Sequence, residues 1–242
     1  MTTSRDRIRR SGNALRQVLE FLYPKDPDLT DRLIKHFGSA GAVIEAGKYQ
    51  LMQHGISESN ALLISMLPGL VRHMEKQKFG PHPKLATLGA AEKYMATHYI
   101  GEIIERFYML ALDNSGKLIE CVHIQSGNED SAPFYLKNVM AEVIRTKARA
   151  IVIVHNHPNL TPRPSQADID CTLQLMESLG AIDVPLVDHM IMIEKRAMSI
   201  RGFGFIPEYR WMAQAPANKL MRGWLTGWDM DEAATALSPR RK

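Results

Sequence analysis

Ala150-Ile-Val-Ile-Val-His155-Asn-His157-Pro158-Asn-Leu-Thr-Pro162-Arg-Pro164-Ser165-Gln-Ala-Asp168 is the stretch around which the rest of the chain is read. Its first five residues are an uninterrupted apolar run, the composition of a strand buried on both faces. Side chains alternate along a strand, so His155 and His157 share one face at its exit, an arrangement suited to bidentate capture of a metal. Three prolines restrict the loop that follows, and Asp168 arrives in the first turn of a helix, where its carboxylate can swing back to the strand end. Two His and one Asp would give Zn2+ three protein ligands and leave the fourth tetrahedral position to water, the pattern of catalytic rather than structural zinc. Water in that position has its pKa lowered to about 7, and a nearby carboxylate can take its proton. Plainer readings stand beside this one. Ser165-Gln-Ala-Asp168 is also a capping-box pattern that would start a helix, and an H-x-H pair alone is a weak signal.

Outward from this stretch the periodicity alternates between strand and helix. Arg106-Asp113 and Leu118-Ile124 read as strands joined by the hairpin turn Asn114-Ser115-Gly116, with Glu105 at the mouth of the first. Ala86-Thr97, Ala132-Thr146 and Ser165-Leu179 read as helices, and Val184-Val187 and His189-Glu194 as two further short strands. Together they predict an α/β (α+β) domain over residues 85–206, a central mixed sheet flanked by helices. His189, on an apolar strand, reads as a satisfied core histidine that has the option of orienting groups behind the site. His36, His54, His73, His82, His98 and His123 have no partner at ligand spacing.

Residues 1–84 read as a small all-helical module, with apolar positions at Leu15, Val18, Leu19 and Leu22 and again at Leu33, Ile34 and Phe37. Phe79-Gly-Pro-His-Pro-Lys84 is the best linker candidate near 79–84. Residues 207–242 form a C-terminal extension with Trp211, Trp224 and Trp228. The 242 residues are 45% hydrophobic and 23% charged, ordinary globular composition. No apolar run approaches the roughly 18 residues that cross a bilayer, and no apolar segment follows the basic start, so a cytoplasmic protein without membrane contact is expected. Cys121 and Cys171 are the only cysteines and read as small buried hydrophobes, so any metal here must use His and carboxylates. Of the net charge of +4, the basic excess lies at the N-terminus: residues 1–84 carry 13 Lys and Arg against 8 Asp and Glu, the remainder 17 against 18. That excess suits weak affinity for a phosphate backbone, and equally a solvated surface with an Arg-rich tail.

The order H-x-H, seven residues, Ser, two residues, Asp, with an upstream Glu, resembles the JAMM motif of MPN/JAB metalloproteases. More closely, the chain resembles the bacterial RadC family over roughly residues 86–202. The resemblance rests on the His155-Asn-His157-Pro158 run, on Glu105-Arg-Phe-Tyr-Met-Leu-Ala-Leu-Asp113 and on Val187-Asp188-His189-Met-Ile191. It implies one Zn2+ per chain on His155, His157 and Asp168, Glu105 as general acid/base, Ser165 as oxyanion donor, and hydrolysis of a peptide or isopeptide bond in a peptide or protein substrate. The chain departs from the family pattern at Asn159-Leu160, where Ser-Gly is usual, and at Lys137-Asn138, where Arg-Glu is usual. The N-terminal module resembles that family's helix-hairpin-helix region, but Ser57 stands where a second hairpin glycine is common, and close approach to phosphate favours glycine there. Two other readings follow: a DNA-associated repair or mobile-element protein that binds DNA through residues 1–84, and an inactive MPN scaffold. Oligomeric state is not legible in the sequence.

Overall fold

A computed structural model describes residues 14–102, 104–126, 132–158, 161–207 and 210. The tryptophans of the C-terminal extension and Asn159-Leu160 lie outside the described residues. The chain divides into two compact units, Met1–Met74 with Ile100–Ile103, and Glu75–Tyr99 with Ile104–Lys242.

The described part of the first unit is helical: α1 (14–22), α2 (Leu29–Phe37), α3 (Ala40–Glu45), α4 (Lys48–Gln53) and most of α5 (Glu58–Gln77). Leu15, Leu19, Leu33, Val43, Leu51 and Ile64 form its core, whereas Val18, which the sequence pattern places on the same apolar stripe, is exposed. Gly38 ends α2 at φ 89°, a left-handed conformation open to glycine, and Ser39 then caps α3 by accepting from Ala42 N at 3.0 Å. At the turn before Ser57 the N–H groups of Gly55 and Ile56 donate to Met52 O and Leu51 O, and Ser57 N donates to the Tyr23 hydroxyl at 2.7 Å. Offering these three amides to a phosphate would require breaking bonds they already make inside the module.

The second unit holds a five-stranded mixed sheet in the order β2-β1-β3-β4-β5, from β1 (Arg106–Leu112), β2 (Leu118–Ser126), β3 (Ala150–Asn156), β4 (Leu186–Ile193) and β5 (Arg196–Ser199). β3 and β4 run parallel through the crossover helix α8 (Gln166–Gly180), and the other pairs are antiparallel. Central β3 is buried at every position, as its continuous apolar run predicts. Successive side chains of β1 point to opposite faces. Phe107 meets Tyr135 of α7 (Ala132–Thr146), and Tyr108 meets Tyr99 and His98 just beyond α6 (Leu88–Ala96). Helices therefore cover both faces, with α7 and α8 packed together over the Phe107 face.

Two elements differ from the sequence reading. β4 is one continuous strand where two short ones are expected, because Asp188, read as the break, is fully buried and its carboxylate accepts from His189 N, Ser199 Oγ and Arg201 N. A satisfied carboxylate lets the strand run through an otherwise costly position. The Pro-rich segment at 79–84 lies with the second unit: Leu118 N donates to Pro83 O, Leu85 N to Gly116 O, and Lys84 bridges Lys117 beside the β1–β2 turn.

Candidate metal centre

The site forms where β1 and β3 separate. Phe107 is paired across the ladder with His155, and its ring stacks on the imidazole at 4.5 Å between centroids and 12° between planes, which fixes the plane of the ring. His157, two residues on, leaves the sheet on the same face, and its Nδ1 donates to Thr161 O at 2.7 Å. A carbonyl can only accept, so that bond fixes a proton on His157 Nδ1 and turns Nε2 toward the cluster. Burial opposes charge on this imidazole, but Asp168 and Thr161 O outweigh it and raise the ring above its ordinary value. Asp168 reaches the same point from the first turn of α8. Ser165, the residue before the helix, caps it: Ser165 Oγ accepts from Asp168 N at 3.1 Å and donates to Asp168 Oδ2 at 2.7 Å, and Ser165 N donates to the same oxygen at 2.7 Å. Cap and candidate ligand are thus one unit, which joins the two sequence readings of Ser165-Gln-Ala-Asp168 rather than choosing between them.

One atom each from Glu105, His155, His157 and Asp168 lies within 4.8 Å of the others. His155 Nε2 is 3.0 Å from His157 Nε2, 3.3 Å from Asp168 Oδ1 and 3.8 Å from Glu105 Oε1, and His157 Nε2 is 3.7 Å from Asp168 Oδ2. Tetrahedral ligands about 2.0–2.1 Å from one zinc ion stand about 3.3 Å apart, so the donor set fits such an ion in both chemistry and spacing. Glu105 lies on the fourth side of the cluster. It is held there by Asn156, whose Oδ1 accepts from Arg106 N at 2.8 Å and whose Nδ2 donates to Ile104 O at 3.0 Å.

The electrostatics agree with this division. Burial, then the neighbouring His189 and His157, holds the His155 imidazole well below its ordinary value against the pull of Asp168, so it is neutral and able to ligate. Burial opposes charge on Asp168, but the His157 hydrogen bond, His155 and Ser165 outweigh it and hold the carboxyl well below the usual carboxylate range. Glu105 moves the opposite way: burial and then Asp168 raise its carboxyl above the ordinary value, with His157 opposing, which suits a group that must take and return a proton.

Residues 85–205 match the family model described as the RadC-like JAB domain, and a UPF0758 protein of Rhodobacter capsulatus is 30% identical over 179 residues, 74% of this chain and 84% of that protein. The chain belongs to the RadC family. A UPF0758 protein of Shewanella sp. strain MR-4 is 29% identical over 180 residues and one of Vibrio campbellii 26% over 180, each alignment covering 74% of this chain and 80% of the relative. The matched RadC segment contains every member of the cluster, and membership carries with it the fold and a JAMM-like metallohydrolase ancestry. Among the described residues of this RadC chain no helix is long and apolar enough to cross a membrane, and both cysteines are free.

All five residues singled out in the sequence converge. Three others that shape the RadC site are not evident there. Phe107 and Asn156 act through pairing partners about fifty positions away, which no local pattern reveals. Thr172, four residues after Asp168 and therefore on the same face of α8, carries a usable signal in its i, i+4 spacing.

Proposed function

We propose that this chain is a zinc-dependent hydrolase of peptide or isopeptide bonds, acting in the cytoplasm on a peptide or protein substrate. The observation that carries the reading is the placement of Glu105, a half-buried carboxylate aimed at a three-donor cluster and carried on backbone that Asn156 clamps on either side of it. One Zn2+ held by His155, His157 and Asp168 would polarise the scissile carbonyl and acidify water. Glu105 then accepts the water's proton and returns it to the leaving nitrogen. Stacking on Phe107 and the bond to Thr161 O keep the two imidazoles from turning away during this exchange. The Ser165 hydroxyl, released from Asp168 Oδ2, donates to the oxyanion as charge develops there. No covalent enzyme intermediate is required.

The experiment is zinc analysis of the purified full chain together with turnover of a panel of peptide, isopeptide-linked and nucleic-acid substrates. Cleavage confined to the peptide and isopeptide members with zinc present is the expected result. Cleavage of nucleic acid alone would replace this reading with the DNA-directed one, and zinc without any turnover across the panel would favour a scaffold.

A further inference from the structure

Behind His155, away from the cluster, lies a chain of hydrogen bonds that ends on the backbone of another candidate ligand. His155 Nδ1 is 2.8 Å from His189 Nε2, His189 Nδ1 is 2.7 Å from Thr172 Oγ1, and Thr172 Oγ1 donates to Asp168 O at 2.5 Å. Thr172, His155 and His189 are fully buried. We infer that Thr172 and His189 are positioning residues that fix the tautomer of His155, presenting its bare Nε2 to the metal.

The direction of each bond follows from one fact, that a carbonyl oxygen has no proton to give. Thr172 has one hydroxyl proton, and Asp168 O takes it. Thr172 Oγ1 is therefore an acceptor toward His189, whose Nδ1 must carry a hydrogen. Among the described residues no carboxylate is in hydrogen-bond contact with the His189 ring, and an unpaired charge in a fully buried position is costly. Its other nitrogen, Nε2, is bare and accepts. His155 Nδ1 then has to donate, which leaves Nε2 bare at the cluster. For His157 the proton on Nδ1 is fixed directly by Thr161 O. For His155, inside the sheet, the information is carried through two side chains from the carbonyl of Asp168. The two candidate ligands on β3 and α8 are thereby coupled behind the site as well as through the ion. A buried histidine on β4 that the sequence presents as core packing is in place to do this.

This inference rests on the metal reading above, and its test separates the two. In the full chain labelled with 15N on histidine and freed of metal, the ring shifts report which nitrogen of His155 is protonated: Nδ1 is expected, with Nε2 bare. Zinc alone, titrated against a competing chelator, is expected to bind Thr172→Val about 10–100-fold more weakly than wild type, the usual scale for groups that orient a ligand, while Thr172→Ser restores binding. Thr172→Val is also expected to populate both His155 tautomers, which a simple packing defect would not produce. A wild-type His155 protonated on Nε2, or undiminished zinc affinity in a folded Thr172→Val protein, would overturn the inference. Should Thr172→Val not fold, the wild-type tautomer decides alone. A wild-type chain that binds no zinc defeats the metal reading while the ring shifts still judge the relay.

Discussion

The side-chain amide of Asn156 straddles Glu105, bonding to the N–H of the residue after it and the C=O of the residue before it. In effect Asn156 continues the β1–β3 ladder by one step beyond the last backbone pair, Phe107 with His155, at the point where the strands must part to open a site. The consequence is that the backbone carrying Glu105 is fixed by a residue that lies between two candidate metal ligands but points to the other face of the strand.

Asn156→Ala is expected to leave the zinc content near wild type and to cut kcat at least about tenfold, because the clamp acts on Glu105 and not on the ligands. The loss of two partly buried hydrogen bonds also lowers stability by about 1–3 kcal/mol. Metal analysis and steady-state kinetics on the same preparation check this. Unchanged kcat would mean that Glu105 finds its position without Asn156.

Substitution at Ser165 separates cap from catalysis only if the charge is chosen with Asp168 in view. Ser165→Asp would set a second carboxylate where the present Oγ stands 2.7 Å from Asp168 Oδ2, so it is expected to destabilise the helix start despite Asp being a good N-cap residue. Ser165→Ala removes the hydroxyl but keeps the backbone bond from Ser165 N to Asp168 Oδ2. It is expected to cost about 1 kcal/mol of capping, a fall of about 2–4 °C in Tm, with zinc retained and turnover lowered by up to about 10²–10³. A stable, zinc-loaded Ser165→Ala protein with wild-type turnover would leave the cap as this residue's only role.

Zinc that binds the folded chain and not the unfolded one must stabilise it. At free zinc about 100 times the dissociation constant, the gain is about 2.7 kcal/mol. Chelation is therefore expected to lower Tm of the wild type and to leave His157→Ala, which lacks a ligand, nearly unmoved. Calorimetry with and without chelator checks both, and equal Tm values for the wild type in the two conditions would contradict a site held by these residues.

How far the sequence could be read follows from where each interaction lies along the chain. His155, His157, Ser165 and Asp168 sit within fourteen residues, and strand alternation and capping-box spacing suffice to place them together. β3 declares itself because burial on both faces demands an uninterrupted apolar run. β4 was harder: a buried Asp188 breaks the pattern, and its compensation by Ser199 and Arg201 comes from a strand and turn eleven and thirteen residues away. His189 is ambiguous in the sequence for the same reason. Packing and ligand orientation both call for a histidine on an apolar strand, and only its contacts with His155 and Thr172 distinguish the two.

The most direct measurement is the rate at which zinc-loaded wild type and zinc-loaded Glu105→Gln cleave one isopeptide-linked or peptide substrate taken from the panel. The amide is nearly isosteric with the carboxylate and cannot accept a proton, so the account predicts full zinc occupancy in both proteins and a rate about 10²–10⁴-fold lower in the variant. Equal rates in two fully loaded proteins would contradict it.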